Sequence, residues 1–250
     1  MVFHTFGDIA NKSIVLVHGM LTPWQIWEGA VEVFSKDYFV IVPELDAHTE
    51  EEKSTFVSIE KEAETIADYI LNNRDGKIFM LAGLSMGGRI SATVAKDKRL
   101  SIENIVLDGA PLLPLPKLAV AVMKKSYISI IRKSKIRDKN TIENCKRNFL
   151  PEKYLESFFK VADNMEEDSI GIILESVFEK FDFTEYDEKM HILCMHGTKR
   201  NESLSKKGAY KLKELNTQTQ INSYEGYAHA QLLCYEEQKW IKEVKKWLKA

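Results

Sequence analysis

Between residues 13 and 107 the chain alternates short, unbroken apolar runs with longer segments whose apolar residues recur every three or four positions. The unbroken runs are 13–17 (SIVLV), 38–42, 78–82 and 104–107. Apolar runs of that length, bounded by glycine, proline and polar residues, predict central strands buried on both faces. The periodic segments predict amphipathic helices: 24–34, carrying Trp24, Trp27, Val31 and Phe34, and 55–71, carrying Ile59, Ala63, Ile66, Ala67 and Ile70. A third helix follows the 78–82 strand over residues 90–96. Strands alternating with helices predict an α/β fold, a mostly parallel central sheet flanked by helices.

The rhythm breaks at the proline cluster Pro111, Pro114 and Pro116. From about 111 to 189 only helical periodicity is present, with apolar sets such as Leu118, Val122 and Met123, and Tyr154, Leu155, Phe158 and Phe159. Alternation resumes with a strand at 192–195, a helix at 203–215, a strand at 220–224 and a closing helix at 236–248. The expected organisation is one domain over 1–250, with a core of 1–110 and 190–250 and a helical cap of about 111–189 inserted after the strand that ends at Asp108.

Composition narrows the partners. A net charge of −2 supplies no basic excess to neutralise phosphates, which argues against nucleic acid as partner. No apolar run reaches the length of a membrane span, and the first residues lack the basic start and apolar core of a signal peptide. Three widely spaced cysteines form neither a disulfide framework nor a zinc ligand set, which fits a reducing cytoplasm. No metal-ligand spacing or phosphate loop is present, and no cofactor is expected.

Candidate chemistry lies where predicted strands end, because ligands of a parallel sheet bind beyond the carboxyl ends of its strands. The 78–82 strand runs into Gly83-Leu84-Ser85-Met86-Gly87 and then a helix, the setting that the G-x-S-x-G nucleophile turn requires. His18-Gly19-Met20-Leu21 follows the first strand; the amide of Met20, or of Leu21, pairs with that of Met86 as an oxyanion hole. Gly226-Tyr227-Ala228-His229 follows the last strand, which makes His229 the general base for Ser85. Of the other histidines, His18 reads as shaping the oxyanion loop and His196 as lining the pocket, while His4, His48 and His191 read as structural.

These residues, in this order, resemble the α/β-hydrolase superfamily, and in particular small bacterial esterase- or lipase-like serine hydrolases. The resemblance implies a catalytic triad with its acid a few residues beyond the 192–195 strand, in a G-x-x-D or G-x-x-E pattern. Here Gly197-Thr198-Lys199-Arg200-Asn201-Glu202 places Arg200 in that slot. Asp108, at the end of the preceding strand, is the preferred acid; Glu202 is the alternative, and a site with no working acid is the third reading. The implied activity is hydrolysis of a small-molecule ester or thioester through an acyl-serine, with an apolar acyl arm under the cap. The competing readings are a non-catalytic ligand-binding or regulatory protein on the same fold, which Arg200 motivates, and an acyltransferase or C–C hydrolase using the same serine. Seven basic residues between Lys124 and Lys139 read as the solvated face of a helix, with attraction of an anion or a membrane surface as the alternative.

Overall fold

A computed structural model describes residues 1–249. Its strands are β1 (Val2–Phe6), β2 (Ser13–Val17), β3 (Phe39–Glu44), β4 (Lys77–Leu84), β5 (Ser101–Asp108), β6 (His191–Gly197) and β7 (Thr219–Tyr224). They form one sheet in the order β1-β3-β2-β4-β5-β6-β7, parallel except for β1, which pairs antiparallel with β3. The helices are α1 (Glu28–Phe34), α2 (Ile59–Arg74), α3 (Met86–Val94), α4 (Lys117–Lys135), α5 (Lys139–Asn148), α6 (Leu155–Asn164), α7 (Glu167–Val177), α8 (Ser203–Leu215), α9 (Gln231–Tyr235) and α10 (Glu237–Trp247). The strand order reverses direction between β2 and β4, so the crevice at their carboxyl ends is the topological switch point of the sheet.

Alternation along β2 explains why it reads as a continuous apolar run. Ile14 and Leu16 enter the core on one face, with Trp27, Phe34, Tyr154 and Trp240; Val15 and Val17 enter the other, with Ile59, Ile66, Ile90 and Leu212. Each fully buried aliphatic side chain contributes about 1.5–3 kcal/mol relative to exposure. β1 is absent from the sequence expectation because it is an edge strand, half-buried at His4 and exposed at Val2 and Thr5, and it never presents an apolar run.

The segment between β5 and β6 is helical, as its periodicity predicts: α4 to α7, with no strand. Three of the seven basic residues in its run are tied down. Arg132 pairs with Glu167 at 2.6 Å, Arg137 with Asp163 at 2.7 Å, and the Lys135 ammonium donates to the Met165 carbonyl at 2.9 Å. Of the apolar sets in this segment, Leu118 and Val122 are exposed, whereas Tyr154, Leu155 and Phe158 are core. Among the described residues no helix is long and apolar enough to cross a membrane. Cys145, Cys194 and Cys234 are buried and free.

Candidate active site

β4 ends at Leu84 and α3 begins at Met86, leaving a single residue, Ser85, to turn the chain. Its φ of 53° and ψ of −116° fall where a side chain is strained, a conformation held only because its surroundings over-determine it. The Ser85 amide donates to the Asp108 carbonyl at 2.7 Å, and the Ser85 carbonyl accepts from Arg89 at 3.1 Å. The flanking glycines permit backbone contact. A Cβ on Gly83 would sit 2.2 Å from the Gly87 carbonyl oxygen, and one on Gly87 would sit 2.2 Å from that of Val17.

His229 reaches this serine across 144 residues of sequence: its Nε2 lies 2.8 Å from Ser85 Oγ. Its Nδ1 lies 3.0 Å from Glu202 Oε1. The imidazole is partly open to solvent at 29% side-chain exposure, whereas Glu202 is buried at 2%. Burial pulls the His229 pKa down, but the hydrogen bond and charge of Glu202, with the charge of Asp108 behind it, outweigh burial and leave it above the usual histidine value.

Glu202 stands where the spacing placed Arg200 because the chain after β6 makes a 3₁₀ turn at Arg200–Glu202. In that turn the Glu202 amide donates to the Lys199 carbonyl at 2.9 Å. The turn leaves Arg200 exposed and carries Glu202 inward. The neighbouring loops are fastened to it: the Lys199 amide donates to the Tyr227 carbonyl at 3.1 Å, and the His229 amide to Asn201 Oδ1 at 3.3 Å.

Asp108, the preferred acid from sequence, does not take that place. It is buried beside the pair, and its Oδ2 accepts from the Trp240 indole at 3.0 Å. Burial, reinforced by the charge of Glu202, pushes its pKa up to about 7, an environment that favours a neutral acid. Gly109, next in sequence, has a φ of +63° and lies directly against the His229 ring; a Cβ there would be 2.8 Å from Cε1 and 3.0 Å from Nδ1. Neither Trp240 nor Gly109 stood out in the sequence as part of the site.

The 18–21 loop lies over the serine, with the Cβ position of Gly19 only 3.5 Å from Ser85 Cβ. Its shape is held by two histidines acting reciprocally. His18 Nε2 accepts the Leu45 amide at 3.1 Å, and His48 Nε2 accepts the Leu21 amide at 3.0 Å. Their Nδ1 atoms face the Gly19 and Asp46 carbonyls, which fixes both as Nδ1–H tautomers. Burial, helped for His18 by the His48 ring, takes their pKa values down to about 3 and about 4, so both stay neutral braces. The Leu21 amide is committed to His48, whereas the Met20 amide is not. Neither it nor the Met86 amide at the start of α3 has a protein acceptor among the described residues. His196, expected to line the pocket, is buried with its Nδ1 turned to the Gly197 carbonyl at 2.7 Å. His4 pairs with Glu44, and His191 lies at the exposed start of β6. No group of three or more His, Cys, Asp or Glu among the described residues is arranged to hold a metal ion.

A family profile described as "alpha/beta hydrolase fold" matches residues 12–127, the span from β2 through β5 that contains Ser85. A curated AB hydrolase superfamily protein from Gibberella zeae is 22% identical over 124 residues, covering 46% of this chain and 44% of the relative. The chain therefore matches less than half the length of that protein. Among solved structures, an α/β-hydrolase family protein of Desulfitobacterium hafniense superposes with a TM-score of 0.78 at 17% identity, covering 99% of this chain and 100% of that one. A thermophilic esterase of Thermogutta terrifontis gives 0.73 at 19% identity, covering 99% and 92%. An esterase of Exiguobacterium antarcticum gives 0.72 at 17% identity, covering 99% and 95%. At such identities the likeness speaks for the fold, and with the sheet order and the profile it leads to one conclusion: this chain has the α/β-hydrolase fold.

Proposed function

We propose that the protein is a serine hydrolase that cleaves an ester or thioester through an acyl-serine, with Ser85 as nucleophile, His229 as base and Glu202 as the acid. The observation that carries this reading is the unbroken relay from Ser85 Oγ through His229 to Glu202, with contacts of 2.8 and 3.0 Å. The order Ser…Glu…His along the chain accords with it. The esterases of similar fold accord with the ester substrate, and residues 111–189 would serve as the cap over a core of 1–110 and 190–250.

Glu202 holds the imidazole as the Nδ1–H tautomer, which leaves the Nε2 lone pair facing the serine hydroxyl. As Ser85 Oγ bonds to the carbonyl carbon, its proton passes to Nε2, and Glu202 stabilises the imidazolium that forms. The amides of Met20 and Met86 hold the oxyanion. Collapse of the tetrahedral intermediate breaks the bond to the leaving oxygen or sulfur, which takes the proton from Nε2. Water then repeats the sequence on the acyl-serine and releases the acid. The carboxylate that stands at His229, with Arg200 exposed, speaks for this reading over the non-catalytic one that Arg200 motivates.

A fluorophosphonate probe tests the proposal. It is expected to modify Ser85, to leave Ser85→Ala unmodified, and to react at least about a hundredfold more slowly with His229→Ala. An unlabelled wild-type protein, or labelling indifferent to His229→Ala, overturns it. Product analysis separates hydrolysis from transfer to another acceptor.

A further inference from the structure

From the lining of the crevice beside His229 we infer that the substrate carries an anionic end, a carboxylate or a phosphate, seated there against Arg147 and Lys199. The inference rests on the serine hydrolase reading and adds the substrate class. The crevice encloses about 210 Å³ and is walled by Arg147 and Asn148 from the end of α5, Lys199 from the loop after β6, and His229, Gln231 and Tyr235 from the chain after β7. One wall is thus the ring whose Nε2 lies 2.8 Å from Ser85 Oγ, so a group lodged in the crevice sits one imidazole away from the serine.

The charge in this space is one-sided. Two of its lining residues are cations and none is a carboxylate. Among the described residues, Arg147 and Lys199 enter no ion pair and their side chains make no hydrogen bond to the protein. Lys146, the sequence neighbour of Arg147, is by contrast engaged with Glu152 at 2.8 Å. The two unpaired cations come from positions more than fifty residues apart and converge on one cleft, in a chain whose net charge is −2. The positive potential there is therefore local, and clefts of one sign concentrate ligands of the other. A guanidinium fork and a lysine point charge together suit a carboxylate or a phosphate. The Gln231 and Tyr235 groups are already partly used, accepting from Ala228 at 2.9 Å and donating to the Lys146 carbonyl at 3.0 Å. A crevice of about 210 Å³ has room for a short arm ending in the anion.

Three methyl esters of similar length provide the test: methyl pentanoate, monomethyl succinate and methyl 3-phosphonopropanoate, followed by methanol release. The wild-type protein is expected to favour one of the anionic esters over methyl pentanoate by at least about tenfold in kcat/KM, and the favoured one identifies the anion. Arg147→Gln and Lys199→Gln are each expected to lower that ratio about five- to tenfold, and raised salt to compress it. Methyl pentanoate cleaved as well as both anionic esters, or a ratio the two variants do not move, overturns the inference while leaving the serine hydrolase reading in place. If no ester is turned over, titration calorimetry of Ser85→Ala with succinate and with inorganic phosphate decides. Binding that Arg147→Gln and Lys199→Gln weaken supports the inference, and no binding of either ion up to tens of millimolar overturns it. Failure of fluorophosphonate labelling reports separately on the serine.

Discussion

Replacing one carboxylate oxygen by an amide nitrogen at Glu202, and separately at Asp108, tests the proposed acid against the carboxyl group beside it. Glu202 Oε1 lies 3.0 Å from His229 Nδ1. When the imidazole accepts the serine proton, a unit positive charge appears at that distance from a unit negative one, worth about 5 kcal/mol at an effective dielectric constant of about 20. Since each 1.36 kcal/mol is about tenfold in rate, Glu202→Gln is expected to lower kcat by about 10⁴. Tautomer control points the same way: a glutamine amide that donates to Nδ1 moves the ring proton to Nε2, where it blocks the base. Asp108→Asn keeps the acceptor for Trp240 and removes a group whose pKa already sits at about 7, so kcat should stay within about threefold.

The same pair of variants separates in stability. The folded protein holds the Asp108 proton up to about pH 7, while an unfolded aspartate releases it near pH 4. Between those values the folded state binds more protons than the unfolded one, so this group's contribution falls as pH rises. Asp108→Asn has no such loss, and its Tm advantage over the wild type should widen from pH 4 to pH 7 and then level off. Hydrolysis of p-nitrophenyl acetate and thermal melts across that range provide both readouts. A Glu202→Gln enzyme retaining most of its kcat, beside an Asp108→Asn enzyme reduced a hundredfold, would refute the assignment.

With His229 held above its ordinary pKa and serving as base in the proposed mechanism, the acidic limb of kcat/KM should fall above pH 6.5, and in whatever activity Glu202→Gln retains it should move to lower pH. Gly109→Ala puts a methyl 2.8 Å from His229 Cε1 at a backbone angle that alanine resists; kcat should drop about a hundredfold or more, with a Tm loss equivalent to about 1–2 kcal/mol. His48→Leu leaves the buried Leu21 amide without its acceptor and should cost about 1–3 kcal/mol in urea denaturation. Arg137→Ala breaks an exposed ion pair with Asp163 and should change stability by less than about 1 kcal/mol.

Legibility followed burial and sequence distance. The inner strands could be read because residues such as Val15 and Leu16 enter cores on opposite faces of the sheet and leave no polar position in the run. β1 could not, since an edge strand with one half-buried face carries no such run. Ser85 and His229 were legible because each sits in a short motif immediately after a strand. Glu202 was displaced from its expected position by a turn of three residues, Arg200–Glu202, and counting along the sequence treats those residues as extended chain. Asp108 looked available for the opposite reason: the indole that occupies its carboxylate comes from α10, 132 residues further on. The acids that neutralise Arg132 and Arg137 are likewise 35 and 26 residues away. A carboxylate's role is therefore set by which donor reaches it first in space. At the two strand ends beside His229 that donor is an indole for Asp108 and the imidazole for Glu202, which is why the residue with the better sequence position has the weaker claim to the chemistry.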